Sequence, residues 1–234
     1  MNKLTLLMDT YLGFLGVALG MGLLCAYGVS ELPRRIYAQY APHELDSLPA
    51  SSLGLRLFVV LTIWMVWLLC ALHWGPSLAA LCWAGFFSAL VTLAVIDLRT
   101  LLLPDLITQP LLWAGLLASS VNGVSLALPD AVLGAAVGYA SLWTVAYLFE
   151  RITGQEGMGA GDFKLMAALG AWLGPLALLP LALIASSLCA AGALVLIWAK
   201  RSPDDGQLPF GPCLAAGGAT MAMLGEPITA FLLG

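Results

Sequence analysis

Polar positions are sparse along this chain. They gather into short breaks between apolar runs of about 20 residues, the length an α-helix needs to cross a bilayer. The runs are 8–29, 55–73, 77–96, 103–121, 127–149, 163–177, 179–199 and 209–232. From Phe163 to Ala199 the apolar stretch is too long for one crossing and slightly short for two. At about 1.5 Å per residue it predicts a helical hairpin with a short first arm, turning near Gly174-Pro175 or Pro180. The expected fold is all-α, a polytopic transmembrane helical bundle of about eight spans, with six or seven as alternatives.

The longest polar segment, 30–54, contains Pro33, Pro42 and Pro49. It has room for a short helix but not for a separate folded domain. The chain is therefore expected to form one integral-membrane domain over 1–234, with a loop at 30–54. The first apolar run is longer than a signal-peptide core and lacks a small-x-small cleavage site, so it reads as a retained span. Gly134 and Gly138 give a small-xxx-small spacing that lets helices approach closely, as packing within one bundle requires.

Composition excludes an ordinary soluble domain: 61% of residues are hydrophobic, 9% are charged and the mean hydropathy is +0.97. No nucleic-acid partner is expected; membrane lipid is. The five cysteines (Cys25, Cys70, Cys82, Cys189 and Cys213) lie in or beside apolar runs without CxxC spacing. They point to neither a disulfide framework nor a metal site, and His43 and His73 read as solvated or interfacial. The placement of charge is more telling than the net value of −4. If the loop after the first span is cytoplasmic, Arg34, Arg35, Arg56, Arg99, Arg151, Lys164, Lys200 and Arg201 share that side and only Lys3 does not. That is a positive-inside signature, and it favours an even number of spans with both termini outside.

Against this apolar background two aspartates stand out, because a carboxylate at a span end is costly unless it is used. Asp97 closes the apolar run from Ser88 to Ile96. Asp162 ends Gly159-Ala-Gly-Asp162, just before the next run. The orientation drawn from the basic residues puts both on the cytoplasmic side. In Glu156-Gly-Met-Gly-Ala-Gly-Asp162 the alternating glycines disfavour helix, and irregular backbone at membrane depth needs protein or a water-filled cavity around it. The same segment equally suits a flexible loop with Asp162 as the N-cap of the next helix. Asp97 has a competitor in Asp105, which follows Pro104 where a helix N-terminus is expected. Asp97 also reads as a carboxylate snorkelling at a span end beside Arg99. On physical grounds Asp97 ranks only slightly ahead.

The segments Ile96-Asp-Leu-Arg-Thr-Leu-Leu-Leu-Pro-Asp105, Glu156-Gly-Met-Gly-Ala-Gly-Asp-Phe-Lys164 and Pro209-Phe-Gly-Pro212 resemble, in this order, the type IV prepilin peptidases, GxGD membrane aspartyl proteases of bacteria. The resemblance covers roughly residues 85–220. It implies that Asp97 and Asp162 are the catalytic pair, with Gly159, Gly161, Asp105, Glu156 and Lys164 as supporting or substrate-binding residues. It also implies an inner-membrane enzyme removing a short basic leader from prepilin or pseudopilin precursors at the cytoplasmic face. Lys164 is expected to snorkel or to help set the local field.

One departure stands out. Bifunctional members of that family usually carry a cytoplasmic insert with two CxxC pairs that bind zinc, whereas 30–54 holds no cysteine. The chain is similar to a short form. Proteolysis would need no cofactor or metal, and S-adenosylmethionine would enter only with a retained N-methyltransferase activity. Among other readings, a presenilin-like protease is disfavoured because Pro209-Phe-Gly-Pro212 replaces the Pro-Ala-Leu motif of that group. A proton-coupled transporter using the two aspartates as a relay would predict repeat symmetry, which is not visible. A catalytically dead scaffold would have no need of both aspartates and the glycine loop.

Overall fold

A computed structural model describes residues 3–40, 51–121, 123–155, 157–199 and 208–233, with side chains described over 8–39, 51–121, 123–155, 157–199 and 208–225. Among the described residues there are eight α-helices and no strand: α1 (Lys3–Tyr40), α2 (Leu53–Trp74), α3 (Leu78–Thr100), α4 (Asp105–Ser120), α5 (Leu128–Thr153), α6 (Ala160–Leu173), α7 (Leu178–Trp198) and α8 (Gly211–Leu233). Among the described residues, five stretches, in α1, α2, α3, α5 and the 175–198 segment ending α7, are long and apolar enough to cross a membrane. The chain is thus a polytopic helical membrane protein. With 16 and 14 residues, α4 and α6 reach only about 24 and 21 Å, short of the roughly 30 Å of a hydrocarbon core.

The expected loop at 30–54 is partly helix. α1 runs unbroken to Tyr40, through Pro33. Val29, Ser30 and Pro33 are buried, and this packing keeps a polar, proline-containing segment helical where local pattern predicts a loop. Residues 41–50, with His43, lie outside the described residues. The hairpin expected between Phe163 and Ala199 turns at Gly174, whose φ of +80° favours glycine. A single 3₁₀ turn at Pro175–Ala177 follows, and Pro180 sits in the first turn of α7.

The helices form two compact units, residues 1–100 and 101–234. In the first, α1, α2 and α3 pack pairwise through side chains. Phe14 of α1 meets Trp67 of α2 at 5.0 Å between ring centroids, and the Trp67 indole donates to Ser88 Oγ of α3 at 2.9 Å. Ser88 Oγ in turn donates to the Ala84 carbonyl, and Thr92 Oγ1 to the Ser88 carbonyl. In an apolar surround such bonds hold helices together where lipid supplies no hydrophobic drive.

The second unit is built around α6, whose residues 165–172 are all buried. Its closest neighbour is α5, and the reason is glycine. A Cβ on Gly134 would strike the Gly170 carbonyl, one on Gly170 would strike the Gly134 carbonyl, and one on Gly138 would lie 2.5 Å from the Met166 carbonyl. The small-xxx-small spacing read from sequence therefore works inside this unit, between α5 and α6. α4 is fixed by Trp172, which donates to the Leu111 carbonyl at 2.8 Å and fills the space beside Gly115. α8 meets α6 where Gly218 faces Leu169.

Candidate active site

Among the described residues, two acidic side chains are buried: Asp97, 4% exposed, and Asp162, 9% exposed. No lysine or arginine is buried among them. Each unit contains one. Asp97 lies in the last turn of α3, after the buried Thr92, Leu93 and Ile96. Thr100 Oγ1 bonds the Ile96 carbonyl there, and Leu101 ends the helix with a φ of +53°. Arg99, two residues on from Asp97, donates from Nη1 to the Val29 carbonyl of α1 at 3.3 Å.

Asp162 is not the N-cap that one local reading offered. Gly159 is the N-cap, and Asp162 is the third residue of α6, its amide bonded to the Gly159 carbonyl at 3.1 Å. At this helix end amide groups lack intrahelical partners and the dipole favours a negative side chain. The glycines before it have different causes. Gly161 lies under the connection leading to α4: a Cβ there would come 2.7 Å from Leu103 Cβ. Gly157 packs beneath the Phe149 ring. A Cβ on Gly159 would meet only Asp162 Oδ2, at an ordinary contact distance of 3.9 Å, and its backbone is extended, φ −71° and ψ 146°, so packing does not demand glycine at this position.

Lys164 does not simply extend to solvent. Its Nζ reaches both carboxylate oxygens of Asp105, at 2.7 and 2.8 Å, tying the first turn of α4 to the first turn of α6. Both members are accessible, 30% for Lys164 and 59% for Asp105. Asp105 differs here from the two buried aspartates. Glu156 lies outside the described residues, as do Lys200, Arg201, Asp204 and Asp205 of the 200–207 connection. His73 is exposed and packs edge-on against Trp74. The Lys164–Asp105 and Arg99–Val29 ties escape a reading of the sequence, because they join residues 59 and 70 positions apart. Pro33 and Arg99 are each plain to see in it, but nothing local pairs them.

Among the described residues no three His, Cys, Asp or Glu side chains converge as metal ligands. The cysteines fall on five different helices, α1, α2, α3, α7 and α8. They do not fit the paired-cysteine zinc insert expected of bifunctional prepilin peptidases.

The fold is polytopic and helical, with one buried aspartate in each unit, the second preceded by Gly157, Gly159 and Gly161. Residues 84–195, a segment that contains both aspartates, match the type IV leader peptidase family. It is 48% identical over 160 residues to the Prepilin leader peptidase/N-methyltransferase of Burkholderia pseudomallei, covering 68% of this chain and 52% of that one. The protein of the same name from Pseudomonas putida is 43% identical over 185 residues, 78% of this chain and 60% of its own. That from Xanthomonas campestris is 48% identical over 151 residues, 62% of this chain and 52% of its own. The chain thus spans about half the length of the curated relatives it matches. No solved structure matches it significantly.

Proposed function

We propose that this chain is a membrane-embedded aspartyl endopeptidase, acting as one domain over 1–234 in the bacterial inner membrane. It removes the short basic leader from type IV prepilin or pseudopilin precursors at the cytoplasmic face. The observation that carries this reading is the pair of buried carboxylates, Asp97 and Asp162, both inside the segment that matches the leader peptidase family. The names of the relatives point to the same substrate class, and the one-sided distribution of basic residues supports the cytoplasmic orientation.

In this mechanism the two carboxylates share one proton, because two close negative charges repel. The ionised member takes a proton from water as the water oxygen attacks the scissile carbonyl. The protonated member donates its proton to the carbonyl oxygen. Collapse of the tetrahedral intermediate then expels the amine, which takes up a proton as it leaves. The pair titrates as a unit. Gly159, where a Cβ would lie 3.9 Å from Asp162 Oδ2, allows an extended substrate backbone to come close to that carboxylate, and Glu156 adds a negative charge for the basic leader. Asp105 and Lys164 support the first turns of α4 and α6. S-adenosylmethionine is needed only if methyl transfer, the second activity in the relatives' names, is retained.

The test is incubation of the purified protein in liposomes with a panel of prepilins and pseudopilins, with the products read by mass spectrometry. The Pseudomonas putida relative serves as a parallel control. A single cut after a glycine, just ahead of the apolar helix, is expected. Substrates left intact by this chain but cleaved by the control would overturn the reading.

A further inference from the structure

A proline inside a helix has no N–H to offer the carbonyl four residues earlier. Pro33 lies inside α1, so the regular donor to the Val29 carbonyl is missing. Val29 is 1% exposed, and a buried carbonyl deprived of a donor is costly. Arg99 Nη1 donates to this same carbonyl at 3.3 Å. The arginine reaches from the last turn of α3, two residues beyond Asp97, into the gap that the proline makes in α1. A guanidinium suits this because it is permanently charged and holds its donors in a fixed fork.

We propose that Arg99 is a positioning residue, securing the Asp97-bearing end of α3 to α1 through the Val29 carbonyl that Pro33 leaves without its helical donor. This rests on the peptidase reading, in which Asp97 is catalytic. The tie is well placed to matter. The last turn of a helix frays most easily, and Leu101 ends α3 in a left-handed conformation that only glycine adopts without strain. With its end untied, α3 would present Asp97 in a spread of positions, and misplacement of a catalytic group by about 1 Å lowers turnover by up to roughly 100-fold.

The test is a double-mutant cycle on the full chain in detergent or liposomes, using Pro33→Ala, Arg99→Leu and the combination, with Arg99→Lys as the conservative variant. Cleavage of a prepilin and thermal unfolding are both measured. Arg99→Leu is expected to lower kcat about tenfold or more with KM within about twofold, since positioning acts on the reacting groups rather than on substrate binding. Arg99→Lys is expected to regain much of that loss. Restoring an N–H at position 33 competes for the Val29 carbonyl, so Pro33→Ala and Arg99→Leu remove one shared tie. The double variant should then be no slower than Arg99→Leu, and Arg99→Leu should lower the unfolding temperature less when position 33 is alanine.

Independent effects, multiplying in rate and adding in unfolding temperature, would overturn the proposal, as would a loss confined to KM. If the wild-type chain cleaves nothing, the peptidase reading falls separately. The unfolding cycle still decides whether Arg99 and Pro33 act through one carbonyl.

Discussion

The two units hold their helices together by different means. In residues 1–100, side chains reach across: Trp67 to Ser88, Phe14 to Trp67 and Arg99 to Val29. Most glycines of α1 do no packing there, since a Cβ on Gly13, Gly16 or Gly20 would meet nothing within 4 Å. In residues 101–234 side chains also tie α4 to α6, but the α5–α6 contact brings backbone against backbone at Gly134, Gly138 and Gly170. The carboxylates differ in a parallel way. Asp97 sits at the carbonyl end of α3 and Asp162 at the amide end of α6. Each is followed two residues later by a cation engaged by another helix: Arg99 by a buried neutral carbonyl, Lys164 by an exposed carboxylate. Inside an apolar bundle, then, a carboxylate can be held by a helix pinned through its side chains or by a helix wedged tightly between its neighbours.

That contrast can be broken from either side. The largest stability effect is expected in the second unit. Gly134→Ala would drive a methyl into the Gly170 carbonyl and should cost about 3 kcal/mol or more, at the upper end for overpacking. Gly16→Ala in the first unit should be neutral or stabilise by up to about 1 kcal/mol, since helical alanine is favoured over glycine. Unfolding of both variants in one detergent measures the difference. Equal effects would erase the distinction between the two packing modes.

Next comes the side-chain network of the first unit. Ser88→Ala removes the acceptor of the Trp67 indole and should cost about 2 kcal/mol, the range for a buried donor left unpaired. Trp67→Phe in the same background should cost little more through this bond, because the two share it. Strictly additive losses would argue against the network.

A smaller effect sharpens the reading of the glycine loop. Gly161→Ala must displace Leu103, and a modest shift of the adjacent Asp162 should reduce cleavage about tenfold. Gly159→Ala places a methyl in ordinary contact with Asp162 Oδ2 and displaces nothing, so any loss of cleavage it causes should appear without a loss of folded protein. A destabilised Gly159→Ala would show that this glycine serves packing after all.

The smallest effect belongs to the accessible pair. Asp105→Asn or Lys164→Met should each change stability by less than about 1 kcal/mol, as exposed ion pairs do. Raising the salt concentration should shrink the difference further. A loss of several kcal/mol from either would mean that this pair is central to holding α4 on α6.

Much of this architecture is legible in the sequence, for identifiable reasons. Eight apolar runs become eight helices because in lipid each run must satisfy its own backbone. Positions 134 and 138 announce a close helix contact, although not that α6 supplies it. Residues 30–40 mislead because they are polar and contain Pro33; their helical state depends on burial against other helices, which local pattern does not carry. Asp97 and Asp105 are nearly equal on physical grounds, and the family motifs separate them. The structure adds an independent difference, one carboxylate buried and the other exposed. The Arg99 and Lys164 ties depend on tertiary contacts between distant positions, beyond the reach of any spacing rule.

The central claim is that Asp97 and Asp162 together perform the cleavage. Its most direct test is co-expression of the chain with a tagged prepilin, read by the mobility shift on leader removal. Wild type, Asp97→Asn, Asp162→Asn and Asp105→Asn are compared at matched membrane levels. The account predicts cleavage by wild type and by Asp105→Asn, and none by Asp97→Asn or Asp162→Asn. Full leader removal by either of those two variants would contradict it.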